Sequence, residues 1–142
     1  MSVDVLEAIH GVDLALHAAA LWAGLLILFL LGLSGLVVRR RRRHLVAFGD
    51  GGHPEMTAAA RAFGNATEYV PAGLVALILL ALVGSPVWMI HALGATLLVG
   101  RAVHAAGLLF QKGPSLGRVL GMLLTWLALL TAAVALIAFA VI

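Results

Sequence analysis

Four long apolar runs constrain this chain more than any other feature. They cover about residues 14–38, 57–83, 86–110 and 115–142, and each reaches or exceeds the ~20 residues that carry a helix across the hydrocarbon of a bilayer. Inside hydrocarbon every backbone N–H and C=O needs a partner within the protein, which leaves helices or a closed barrel. Barrel strands alternate apolar and polar side chains over ~10 residues, and these runs neither alternate nor stop so soon. The pattern predicts an all-α integral membrane protein, a four-helix bundle, with residues 1–142 forming one membrane domain. Charged residues make up 11% of the chain, against roughly 25% in a soluble domain, so a water-soluble reading is excluded.

The first run differs from a secretory signal. Its leader, "MSVDVLEAIHGVD", is acidic, and the run outlasts the ~7–15 residues of a signal core, so it is expected to be a retained span. The absence of cysteine removes disulfides, a cysteine nucleophile, zinc–thiolate sites and iron–sulfur clusters from consideration. The net charge of +3 is dominated by a block of five arginines, Arg39–Arg43, directly after the first run. A basic block at a helix end is a topology signal and a contact for lipid phosphates. No nucleic-acid partner is expected, because no soluble element is present to read a groove.

By the positive-inside rule the Arg39–Arg43 loop is cytoplasmic. Four spans then put both termini on the opposite side, in agreement with Asp4, Glu7 and Asp13 near the N-terminus. The connection "FQKGPSLGR", with Lys112 and Arg118, falls on the cytoplasmic side, and the uncharged turn "GSP" falls outside. The loop after the arginines contains Gly-Asp-Gly-Gly and Pro54 and reads as a turn-rich connection without a core of its own.

Ionisable residues inside spans are costly, so each is a candidate functional group. The second run opens "RAFGNATEYVP". On a helix advancing 100° per residue, Asn65, Glu68 and Tyr69 lie at about +40°, −20° and +80° from Arg61, one stripe roughly 100° wide. The plain alternative is a snorkelling Arg61 paired with a structural Glu68. Asn65 and Tyr69 on the same stripe argue for more, since one ion pair does not need two further hydrogen-bonding groups. The third run contributes Arg101 and His104 in "GRAVHAAGL", three apart on one helix face. The fourth opens "SLGRVLGMLLTW", with Arg118 in its first turn and Thr125 on the same side.

Taken alone, His104 is a packed histidine sooner than a metal ligand. No histidine pair within a span has the i, i+3 or i+4 spacing of a helical metal site, and no metal is expected. His17 and His91 are expected to be structural or interfacial. In depth, Arg61 lies roughly 6 Å and Glu68 roughly 16 Å into their span, with Arg101 roughly 13 Å from the same face and Arg118 near the surface. The polar groups thus gather in one half of the membrane, a site suited to an extended anionic ligand. Arginine forks bind carboxylates through paired hydrogen bonds, and Glu68 can accept from a ligand ammonium or orient an arginine.

The stretches "GDGGHPE", "RAFGNATEYVP" and "GRAVHAAGL" resemble the membrane-associated proteins in eicosanoid and glutathione metabolism, the MAPEG family. The resemblance covers most of the chain and is carried above all by the second-run Arg-x-x-x-Asn-x-x-Glu-Tyr pattern. It implies a homotrimer of four-helix protomers that binds glutathione between neighbours near the cytoplasmic face. It further implies that Arg61, Asn65, Glu68, Tyr69 and Arg101 contact glutathione, and that Arg40, or a neighbour in its block, does so from the end of the first span. His104 stands where leukotriene-synthase-like members carry a glutathione-contacting tyrosine, and Leu108 replaces a second one. Arg118 matches the arginine that stabilises the glutathione thiolate.

The implied activity is that of a membrane glutathione transferase or peroxidase, with glutathione as co-substrate and a lipophilic electrophile arriving from the bilayer. The competing expectation is a non-catalytic relative that binds a lipid or thiol ligand as a scaffold. A third, a small transporter or proton pathway through Glu68 and His104, requires polar residues continuing to the outer face, and the outer halves of the runs are nearly bare.

Overall fold

A computed structural model of the chain describes residues 3–110, 113 and 115–141. Lys112, part of the topology argument, and Ile142, the end of the fourth expected span, lie outside the described residues. The elements are α1 (Val3–His44), α2 (Pro54–Leu82), α3 (Val87–Phe110) and α4 (Leu116–Val141). The structure is all-helical, and each helix is long and apolar enough to cross a membrane. The second to fourth spans end within about three residues of their expected limits.

The first does not. α1 has 42 residues, about 63 Å at 1.5 Å per residue, roughly twice the hydrocarbon thickness. It overruns the apolar segment at both ends because hydropathy marks the membrane, whereas helix ends follow backbone propensity. The block Arg39–Arg43 is made of good helix formers, and its positive charges sit in the last turn with His44, where the helix dipole favours them. The helix stops only at Leu45, whose φ of 55° is left-handed. The amide of Val46 then donates to the Arg41 carbonyl at 3.1 Å, the six-to-one bond of a Schellman ending. α2 closes the same way. Gly84, with φ 78°, donates to Ala81 O, and Ser85 donates to Leu80 O at 3.0 Å. There the left-handed position is a glycine, which adopts it without strain.

α2 and α3 lie between α1 and α4, whose backbones do not come close to each other among the described residues. The core is three successive layers. The first is built on Ala15, Ala18, Leu77, Leu80, Ile90 and Ala132. Leu26, Val70, Leu97 and Ala128 form the second, and Leu33, Ala62, Ala66 and Ala105 the third. Half of these side chains are alanine, as suits helices that associate in a bilayer through close packing rather than through escape from water. Trp22 lies across Gly94, where a Cβ would collide with the indole, and its Nε1–H donates to His91 Nδ1 at 3.1 Å. His91 is thereby a structural partner that joins α1 to α3.

The tightest crossing is α3 on α4, and it positions the polar groups. A Cβ on Gly121 would strike the backbone N of His104 and approach Gly100 O at 2.6 Å; one on Gly107 would lie 2.6 Å from the Arg118 amide. Backbone meets backbone here, so nothing flexible is available to give way. Gly121→Ala is expected to cost about 3 kcal/mol, the upper range for overpacking a tight contact. Gly35→Ala, where a Cβ meets nothing within 4 Å, is expected to be neutral or to stabilise by up to ~1 kcal/mol through helix propensity. Unfolding of the two variants in mixed detergent checks this difference.

Candidate functional site

The polar stripe of α2 faces α3 and α4, and its chemistry is organised around one buried guanidinium. Arg101 is only 1% exposed. Its Nε donates to Thr125 Oγ1 at 2.8 Å, its Nη1 to Asn65 Oδ1 at 2.6 Å, and its Nη2 to Gly121 O at 3.4 Å. The guanidinium carbon stands 5.0 Å from the centre of the Tyr69 ring, within cation–π range. Thr125, fully buried, accepts from Arg101 while its own hydroxyl donates to Gly121 O at 2.8 Å. Because the Asn65 carbonyl is taken by Arg101, its amide nitrogen is turned toward Glu68, with Nδ2 3.4 Å from Oε2. One chain of donors therefore runs from α3 to both α4 and α2.

That arrangement decides what remains free. Arg61 and Glu68 are both exposed, and neither forms an ion pair among the described residues, where the only such contacts are His17–Asp13 and His44–Glu55. The structural Arg61–Glu68 pair considered from the sequence is not formed in this chain. Arg118 is also exposed; its Nη1 donates to Gly113 O at 3.2 Å.

These groups border a cleft of ≈ 1580 Å³ at the end of the bundle where α1 runs into α2. Arg61, Asn65, Glu68, His104 and Arg118 line it. A second, narrower groove of ≈ 410 Å³ runs along the outer face of α4, with Val119, Leu123 and Trp126 in its wall. His104, Arg118 and Met122 line both cavities, so a polar cleft and an apolar groove meet at three side chains.

The segment between α1 and α2 is folded against the cleft. The Nη1 of Arg41 donates to Ala47 O at 3.0 Å and, more weakly, to Val46 O and Gly49 O. Arg40 donates to the Glu55 carbonyl, the His44 imidazole bonds the Glu55 carboxylate, and the His44 and His53 rings stack at 4.1 Å. Pro54 occupies the first turn of α2, where its missing N–H costs nothing. Asp50 accepts from the Gly52 amide at 3.0 Å and from the Thr57 hydroxyl at 2.7 Å. Those two bonds, the amide first, hold its carboxyl below the ordinary value of 3.8.

Glu55 is likewise lowered from 4.5, chiefly by the His44 hydrogen bond and then by the charges of His44, Arg43 and Arg40 against a counteracting desolvation. A depressed carboxyl contributes stability that is complete above the ordinary carboxylate range and is lost as pH falls through the lowered value. The protection of amides in residues 45–53, taken relative to the intrinsic exchange rate at each pH, is therefore expected to fall away as pH drops below about 4. Glu55→Gln should weaken protection at neutral pH and flatten that acid limb.

Of the residues expected from the sequence, the structure brings Arg61, Asn65, Glu68, His104 and Arg118 to one cleft. Arg101 and Tyr69 form the layer behind it, and Arg40 is turned to the loop. Arg41, a neighbour of Arg40 in the block expected from the sequence, lines the cleft, whereas sequence reasoning missed Asp50, His53, Glu55, Thr57 and Met122. The motif "GDGGHPE" was the available signal for the rim, and a methionine in an apolar run offers none.

Comparison with known proteins accords with this architecture. No solved structure matches the chain. The inner membrane protein YecN of Escherichia coli K12 is 42% identical over 112 residues, covering 79% of this chain and 84% of YecN. The YecN protein of E. coli O6:H1 matches to the same extent. The MAPEG family profile matches residues 19–138, which include every residue of the polar network and both cavities. With that match over four membrane-length helices, the chain belongs to the MAPEG family.

Proposed function

We propose that this multi-pass membrane protein is a glutathione-dependent transferase or peroxidase that joins, or uses, the glutathione thiolate with a lipophilic electrophile. The observation that carries the proposal is the meeting, at Arg118, of a polar cleft that holds Arg61 and Glu68 with an apolar groove. Arg61, free of protein partners, takes a glutathione carboxylate through its planar fork. Glu68, uncommitted to any arginine, takes the ammonium of the γ-glutamyl end. Arg101 and Tyr69 serve by holding Asn65 and Glu68, and Arg40 by holding the loop at the cleft's rim. Arg118 stabilises the thiolate, because a guanidinium beside a thiol of pKa ~8.5 favours its ionised form. The electrophile enters along the α4 groove, and the gain from fixing both reactants together is one of proximity.

On this reading the loop end faces the cytoplasm, with the exposed Arg39, Arg42 and Arg43 against anionic lipid headgroups and both termini opposite. The exposed Arg61 and Glu68 would be costly against lipid. This favours a homotrimer in which a neighbour closes the cleft. The test is direct: purified protein is mixed with glutathione and an activated aryl halide. Conjugation above the solution rate supports the reading, and a protein that neither binds glutathione nor conjugates it sinks the reading.

A further inference from the structure

We infer that His104 is the proton carrier of the reaction, taking the thiol proton from glutathione and returning it to the product. The inference rests on the reading of the cleft as a glutathione site. If the tripeptide occupies the polar cleft and the electrophile the apolar groove, the atoms that react meet beside the residues common to both cavities. Those are His104, Arg118 and Met122. A guanidinium does not release its proton in a protein, and a thioether has none to give. The imidazole is left as the one group there that can both accept and donate.

The environment of His104 fits that task. The residue is 7% exposed, yet its ring makes no hydrogen bond to any described residue. Ser85 Oγ is the only buried, unpartnered side-chain polar atom among the described residues, so the imidazole nitrogens of His104 are not sealed off but open onto the cavities. A purely structural histidine in a bundle spends its ring on a protein partner, as His91 does with Trp22. The backbone of His104 is held fast, since Gly121 of α4 abuts its amide. The charged groups that act on the ring are Arg101 on its own helix and Arg118 on α4, and Arg61 and Glu68 on α2 line the same cleft.

In the step itself the S–H bond breaks and its proton passes to His104, while the electron pair stays on sulfur beside Arg118. With an electrophile that adds, such as an activated double bond, the thiolate then forms a C–S bond as the π bond breaks, and the carbanion left on the electrophile collects the proton from His104. Atoms and charge balance without any further reactant.

The test follows thiolate formation by its ultraviolet absorbance after rapid mixing of glutathione with the purified protein, beside the equilibrium affinity. His104→Gln, which keeps a hydrogen-bonding side chain, is expected to bind glutathione within about threefold of wild type. It should slow both thiolate formation and turnover by about 100-fold, the lower range for general acid–base catalysis. His104→Ala should be slowed equally and accelerated by added imidazole, which a packing role would not produce. Thiolate formation by His104→Gln at the wild-type rate, or no imidazole response in a folded His104→Ala protein, overturns the inference. Absence of glutathione binding by the wild type is a different result, and takes down the underlying reading together with it.

Discussion

Arg118→Ala should abolish conjugation while leaving glutathione binding nearly intact. The loss in kcat is expected at about 10²–10³-fold, the effect of removing one preorganised charge from a developing anion. Affinity should change by less than about threefold, because among the described residues the Arg118 guanidinium hydrogen-bonds only Gly113 O and does not take part in the Arg101 network. Arg118→Lys should recover part of the rate, since it restores charge without the fork. Steady-state kinetics beside calorimetric binding separates the two terms. Binding that fails along with turnover would move Arg118 from the thiolate to the carboxylates. Full activity in the alanine variant would remove Arg118 from the chemistry, whereas glutathione binding by the wild type with no conjugation would favour the scaffold reading.

The largest expected effect on the fold comes from Arg101. Arg101→Met conserves length but strips hydrogen-bond partners from Asn65 and Thr125 in a site that is 1% exposed at the arginine. Hydrogen bonds to a charged group contribute about 1.5–3 kcal/mol each, so a loss of about 3–5 kcal/mol is expected. Arg101→Lys should recover little, because a point charge cannot meet Thr125 on α4 and Asn65 on α2 at once. Thr125→Val should cost about 2 kcal/mol by leaving the Arg101 Nε–H unpaired, and Thr125→Ser almost nothing. Because Asn65 reads Arg101 on one side and Glu68 on the other, Thr125→Val should also weaken glutathione binding from a distance. Detergent unfolding combined with a Thr125–Asn65 double-mutant cycle measures that coupling. Strict additivity would contradict it.

What was legible in the sequence follows from what is periodic or continuous along it. The four spans were visible because bilayer thickness sets a length that an apolar run must meet. Arg61, Asn65 and Glu68 were visible as a group because 100° per residue puts them on one face, and the structure places all three in one cleft. The overrun of α1 was not visible, since five arginines end an apolar run without ending a helix. Nor was the commitment of Arg101. Its partner Thr125 lies 24 residues on in another helix, and only the glycine-to-glycine crossing of α3 and α4 brings the two together. The same holds for the loop. Its glycines read as a connection, whereas Arg40, Arg41 and His44 fold it back through contacts that no local pattern encodes.

The central claim is that Glu68 and Arg61 are left free in order to hold the two ends of glutathione. Titration calorimetry of glutathione into the detergent-purified protein, repeated with Glu68→Gln and Arg118→Ala, tests it most directly. The account expects saturable binding by the wild type, at least about tenfold weaker binding by Glu68→Gln, equivalent to about 1.4 kcal/mol, and near-normal binding by Arg118→Ala. Wild-type protein that takes up no glutathione, or a Glu68→Gln variant that binds it as tightly as wild type, would contradict the account.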